Sequence, residues 1–225
     1  MPTWDAFSQG SDGETVTVAS FTIADQSDRI LLVCVCGNAT TNPSTWTVSS
    51  VTWNTSENLS ALGSMQRSGN FGMQWWYLYN PTATTASIVV TTSEAQFDLY
   101  THVRVFSAYD VLQAAPNHYA YDSDNSVDVT SDTDEIVADT IFWTPNTADY
   151  SVGAGQTQRG SQTDEGGGNT SATRGSTEAG ASGTVTMSWT VSSGTPTTTI
   201  IGAVSLEPPG APAGAPTGPC RITGS

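Results

Sequence analysis

The densest set of chemistry-bearing residues is the acidic stretch Tyr121-Asp-Ser-Asp-Asn-Ser-Val-Asp-Val-Thr-Ser-Asp-Thr-Asp-Glu135. Asp122, Asp124 and Asp128, backed by Asn125, Asp132, Asp134 and Glu135, supply hard oxygens. Calcium takes such donors in sets of about six to eight at ~2.3–2.6 Å. The spacing lacks the glycine and the closing glutamate of an EF-hand. Carboxylates this close repel one another, and that repulsion is the one push toward a bound cation. A solvated acidic loop is the competing reading. Asp122, Asp124 and Asp128 are the candidate calcium ligands, and no other cofactor is indicated.

Nucleophilic catalysis needs a base, and the chain offers only His102 and His118. His102 alternates with Tyr100, Arg104 and Phe106 in an apolar run, and His118 follows Ala-Pro-Asn in what reads as a loop. No Gly-x-Ser-x-Gly elbow precedes a helical pattern. Glycoside hydrolysis needs two carboxylates, one of raised pKa. Nearly all Asp and Glu here fall in loops or turns, Asp98 being the nearest exception, and no Glu sits inside an aromatic strand where burial could tune it. No residue is assigned a catalytic role. Trp75 and Trp76, with Tyr77 and Tyr79, could stack on a sugar ring if a flat platform were exposed; core packing is the alternative. Cys34 and Cys36 share one face of an apolar strand and read as small core residues, because neighbours at this spacing rarely bridge. Cys220 lies in the tail, and no zinc spacing accompanies any of the three.

Composition narrows the partners. The 225 residues carry a net charge of −15, with six arginines and no lysine. Such a chain repels phosphate backbones, which argues against nucleic acid. No apolar run reaches the ~18–20 residues of a membrane helix. Met-Pro-Thr-Trp-Asp-Ala-Phe at the N-terminus lacks the basic and apolar regions of a signal peptide. Charged residues are only 12 % of the chain, so Ser, Thr, Asn, Gln and Gly must cover the exterior.

Helical periodicity is nearly absent. Short apolar alternation recurs instead, broken by Gly, Asn, Pro, Ser and Thr. The pattern predicts strands at Thr15–Ile23, Arg29–Cys36, Trp46–Trp53, Leu59–Met65, Phe71–Tyr79, Ser87–Thr92, Phe97–Tyr109, Ile136–Trp143, Asp149–Thr157, Thr184–Val191 and Thr199–Leu206. Arg29–Cys36 is apolar throughout, which requires cover on both faces. In Thr184–Val191 only Val185, Met187, Trp189 and Val191 face inward. A phase change at Ala19-Ser20 calls for a bulge. Residues 117–135 and 160–183 read as long surface loops. The expectation is an all-β, antiparallel β-sandwich over residues 10–207, a split near residue 115 being the alternative. It is flanked by an N-terminal arm (1–9) and a Pro/Gly-rich C-terminal arm (208–225).

Several ordered pieces carry a resemblance. Ser20-Phe-Thr-Ile, Asp28-Arg-Ile-Leu-Leu-Val-Cys-Val, Val48-Ser-Ser-Val-Thr-Trp53, Trp76-Tyr-Leu-Tyr-Asn-Pro-Thr82 and Ala86-Ser-Ile-Val-Val-Thr91 form the first set. Asp134-Glu-Ile-Val-Ala-Asp139, Gly153-Ala-Gly-Gln-Thr-Gln158, Val185-Thr-Met-Ser-Trp189 and Ile201-Gly-Ala-Val-Ser-Leu-Glu-Pro208 follow. Over about residues 14–208 the series resembles jelly-roll-like sandwich domains of phage virion proteins and secreted bacterial proteins. The resemblance implies a sandwich and carries no catalytic residue or metal ligand.

The C-terminal arm, rich in proline and poor in apolar side chains, cannot build a core or a central strand. It is expected to gain shape on a neighbouring chain, with Pro212, Pro216 and Pro219 as contacts and Trp4 and Phe7 serving likewise at the other end. These features lead to the expectation of a structural virion protein of the decoration or cement type, on a virion surface. Its partners would be the major capsid protein or further copies of itself. A glycan-binding or adhesive module, extracellular, is the alternative.

Overall fold

The computed structural model describes residues 3–11, 15–39, 46–69, 71–93, 99–111, 114–145, 147–163 and 171–207, with the backbone alone at 3–11, 39, 99–100, 114–118 and 162–163. Every regular element in them is a strand. The first half holds β1 (Thr3–Ser11), β2 (Thr15–Thr22), β3 (Ile30–Ala39), β4 (Val48–Trp53), β5 (Glu57–Asn58), β6 (Ser60–Ser68), β7 (Phe71–Tyr79), β8 (Thr85–Thr92) and β9 (Leu99–Tyr109). The second half holds β10 (Ala114–Asp122), β11 (Ser126–Ser131), β12 (Ile136–Thr144), β13 (Asp149–Val152), β14 (Thr157–Thr163), β15 (Ala172–Ala179), β16 (Gly183–Ser193) and β17 (Thr198–Leu206).

The antiparallel sandwich expected from the strand pattern is present, and it is doubled. An outer sheet, β2-β8-β4-β5, covers an inner sheet, β1-β9-β3-β7-β6; both come from the first half. A second inner sheet, β10-β17-β12-β15-β14, is covered by the outer sheet β11-β16-β13; both come from the second half. The change of half falls between Tyr109 and Ala114. Three apolar cores lie between the four layers. The first joins Val16, Phe21, Val51, Trp53 and Ile88 to Leu31, Val33, Val35, Trp76 and Val105. The middle one joins Ile30, Leu32, Cys34, Trp75 and Phe106 to Ala138, Phe142, Ile200, Val204 and Leu206. The third joins Val137, Ile141, Trp143 and Ile201 to Val127, Val129, Val185, Met187 and Trp189.

This stacking explains the continuous apolar run in β3. Its odd-numbered side chains enter the first core and its even-numbered ones the middle core, so both faces are buried as predicted. The phase change in β2 is the expected bulge: pairing with β8 shifts between Val18 and Phe21, and Ser20 takes φ 60°. Cys34 and Cys36 are buried, unbridged, and 3.8 Å apart at sulfur. In β16, Val185, Met187 and Trp189 are buried as predicted, whereas Val191 is 37 % exposed.

Two expectations need correction. Residues 117–135 are not one loop: β10 ends at Asp122 and β11 occupies Ser126–Ser131. Residues 160–183 hold the end of β14, all of β15 and the start of β16. β15 was hidden because Thr, Ser and Gly supply its buried face. Its neighbours β12 and β14 cover its backbone, and the Ser176 and Thr177 hydroxyls bond to Asp139 and Arg159. The residues expected as an N-terminal arm lie largely in β1, the edge strand paired with β9. The 208–225 arm is outside the described residues.

Because the middle core ties the halves together, urea unfolding followed by tryptophan fluorescence should show one transition. Leu32→Ala, in that core, should lower its free energy by about 2–5 kcal/mol while leaving it single. Separate transitions for the two halves would show that the middle core does not couple them.

Candidate functional site

The candidate residues singled out in the sequence do not converge. The Asp122 Oδ1 accepts the backbone N–H groups of Ser123 and Asp124 at 2.7 and 3.2 Å, closing a turn between β10 and β11. Asp128 stands outward on β11 and accepts the Thr186 hydroxyl at 2.6 Å. Among the described residues no three His, Cys, Asp or Glu side chains gather to hold a metal. Trp75 is fully buried in the middle core and Trp76 lies in the first core, on opposite faces of β7. Neither ring can serve as the open platform a glycan would stack on, because the inner sheet is covered on both sides. Trp4 and Phe7 fall on β1, described by its backbone alone, and Pro212, Pro216 and Pro219 fall outside the described residues.

His102 is fully buried on β9. Its Nε2 lies 2.7 Å from the Ser171 hydroxyl and its ring tilts against Phe142, with centroids 5.3 Å apart. A hydroxyl beside an imidazole is the beginning of a nucleophilic pair, but Ser171 is also fully buried. His118 lies on β10 rather than in the loop expected for it. Arg104, opposite Cys34 on the neighbouring strand, donates to the Gly160 carbonyl at 2.6 Å. Burial lowers its guanidinium to about 10. A polar depression of about 260 Å³ opens at the margin of the inner sheets, lined by Gln66, Arg67, Tyr121, Asp122, Ser123 and Ile200. Arg67 is braced there against Trp46, donating to its carbonyl and lying 5.7 Å over its ring.

The most concentrated chemistry surrounds a residue that sequence reasoning passed over. Asp139 sits mid-strand in Ile136-Val-Ala-Asp-Thr-Ile-Phe-Trp143 and is fully buried. Side chains of β12 alternate, so Asp139 points with Val137 and Ile141 toward the outer sheet of the second half. Its Oδ1 accepts both the backbone N–H of Ser176, at 2.8 Å, and the Ser176 hydroxyl, at 2.7 Å. Its Oδ2 accepts the Trp189 indole N–H at 2.6 Å and lies 3.5 Å from the Gln156 amide nitrogen. The same amide nitrogen is 2.6 Å from the Ser176 Oγ. The Gln156 Oε1 accepts the backbone N–H of Ser188 at 2.8 Å. That acceptance fixes which end of the carboxamide faces Ser176, because an N–H can only meet the oxygen end.

Each partner arrives on a different element. Asp139 is on β12, Ser176 on β15, Ser188 and Trp189 on β16, and Gln156 closes the turn between β13 and β14. That turn, Gly153-Ala-Gly-Gln156, is drawn tightly onto β16 by a 2.8 Å bond from the Gly153 N–H to the Ser188 carbonyl. A Cβ on Gly153 would collide with the Ser188 Oγ and fall 2.7 Å from the Gln156 Oε1. Gly155 takes φ +88°, a left-handed conformation that favours glycine.

Burial pushes the Asp139 carboxyl up to about 6. The Ser176 hydroxyl, the Trp189 indole, the Ser176 N–H and Arg104 all oppose that shift by favouring the charged form. The group can therefore hold a hydroxyl proton and release it near neutrality. The signal in the sequence was a lone carboxylate at an inward phase of an otherwise apolar strand. Glu135 is a second carboxylate in a buried setting, held by the Ser205 hydroxyl and the Asp132 N–H.

Comparison with protein-family models, with curated proteins and with solved structures finds no match to the chain.

The folded carboxyl of Asp139 titrates near 6 against an ordinary value near 3.8, so the native state binds the proton more tightly. Its contribution to stability is full at low pH and is lost as pH rises through about 6. The difference in unfolding free energy between wild type and Asp139→Asn should thus move in favour of wild type when pH is lowered from about 7 to about 4.5. A difference that stays constant across this range would refute the raised pKa. Gly153→Ala should lower the urea midpoint by an amount equivalent to about 1–3 kcal/mol.

Proposed function

We propose that this chain is a structural subunit of a protein shell, of the decoration or cement type, seated on a virion surface through the major capsid protein or neighbouring copies of itself. One observation carries the reading. The described groups that pair for chemistry, Asp139 with Ser176 and His102 with Ser171, are sealed between sheets rather than opened to a cleft. The interior polar groups hold layers together, and what faces solvent is a hydroxyl-rich, lightly charged exterior. Among the described residues Val191 is the one exposed large apolar side chain. Docking then falls to polar faces, open sheet edges and the terminal segments.

The resemblance to jelly-roll-like virion domains supports the same reading and adds the finer topology to the proposal. The Pro/Gly-rich composition of residues 208–225 supports an extended strap. Fully extended, such a segment reaches ~50 Å at ~3.1 Å per residue. The glycan-binding alternative is weakened by the burial of Trp75 and Trp76.

Electron microscopy of native material should show the chain studding a regular shell; its occurrence solely as free monomer would overturn the proposal. Removing every residue after Leu206 should leave the unfolding transition in place but weaken sedimentation with particles. Undiminished binding by the shortened chain would eliminate the strap.

A further inference from the structure

We propose that Ser176 and Gln156 close an intramolecular ester cross-link, with Asp139 carrying the proton. This modification stands on its own geometry and does not depend on the role in a shell. Three functions needed for acyl transfer meet in one place. The nucleophile is the Ser176 hydroxyl, which donates to Asp139 Oδ1 at 2.7 Å. The acyl group is the Gln156 carboxamide, whose nitrogen is 2.6 Å from the Ser176 Oγ. The electrophilic aid is the Ser188 backbone N–H, 2.8 Å from Gln156 Oε1, where negative charge develops in a tetrahedral intermediate.

The step balances without any co-reactant. Pivoting of the Gln156 side chain about its Oε1, which stays on the Ser188 N–H, turns the face of Cδ to the Ser176 Oγ. Oγ adds to Cδ while its proton passes to Asp139, and Oε1 gathers charge against the Ser188 N–H. The intermediate then collapses: the Cδ–Nε2 bond breaks, Asp139 returns the proton to the departing nitrogen, and ammonia leaves. One O–Cδ bond replaces one N–Cδ bond, and nothing is oxidised or reduced. Asp139 suits both proton transfers because its carboxyl is raised to about 6. Trp189 is a positioning residue: its indole N–H on Oδ2, at 2.6 Å, fixes the carboxylate plane.

An amide and an alcohol do not react in water on any useful timescale. Here the two are held at contact, and effective molarities of about 10⁵–10⁸ M are attainable for well-oriented groups. Ser176 is fully buried, which keeps water from hydrolysing the product, whereas Gln156 is half-buried and offers ammonia a way out. The cross-link would join β15 to the turn that β16 already grips, locking the inner and outer sheets of the second half at one point.

The test is peptide mapping of the full-length protein by mass spectrometry. With no lysine in the chain, trypsin cleaves after arginine alone, so Gln156 falls in the peptide 105–159 and Ser176 in the peptide 175–221. The first of these contains no cysteine, so a disulfide cannot join the pair. The expected result is a linked 105–159/175–221 species, lighter by one ammonia than the sum of its parts. Hydroxylamine should separate it and leave a hydroxamate on residue 156. Ser176→Ala should yield the two peptides unlinked, and Asp139→Asn should sharply reduce the linked species. Recovery of wild-type 105–159 as a linear peptide, with residue 156 as either glutamine or glutamate, would overturn the proposal.

Discussion

Everything in this molecule depends on the burial of both faces of its two inner sheets. A sheet covered on one side can turn its polar residues to water; a sheet covered on both sides cannot. The middle core, where Leu32, Trp75 and Phe106 meet Phe142 and Val204, removes the last solvated face from each inner sheet. Every polar side chain on those strands must then find a partner inside or carry the cost of desolvation. Asp139, Thr140, Ser176, His102 and Arg104 are all buried under this constraint.

The constraint is also what creates chemistry. A carboxylate on an exposed strand would be an ordinary solvated acid. On β12 it is enclosed, its carboxyl rises to about 6, and four donor atoms crowd onto its two oxygens. Low dielectric strengthens each of those bonds and raises the penalty for losing any one. The glycines at 153 and 155 matter for the same reason: they allow the turn to approach β16 closely enough to deliver Gln156. The clustering of polar groups and the rigidity therefore share a single source, the enclosure of both faces of the inner sheets.

Much of the fold was legible from residue order alone. The unbroken apolar run of β3 announced a doubly covered strand, Val185, Met187 and Trp189 announced a half-covered one, and Ala19-Ser20 announced a bulge. β15 was illegible, because Ala172-Thr-Arg-Gly-Ser-Thr-Glu-Ala179 has the composition of a loop, and only its pairing with β12 and β14 makes it interior. β11 was masked by its acidic surroundings: Val127 and Val129 are its only large apolar groups.

The sequence by itself determined that the chain forms strands, which of their faces are apolar, and that a base-dependent active site would have few residues to draw on. Those properties are local, set by side-chain alternation and by which residue types are present at all. Tertiary structure alone decided that the halves stack back to back, that Trp75 and Trp76 are enclosed, and that Asp139, Gln156, Ser176 and Ser188 meet. Those four residues come from four separate elements, and their encounter follows from strand pairing across long sequence distances, which no short-range pattern encodes.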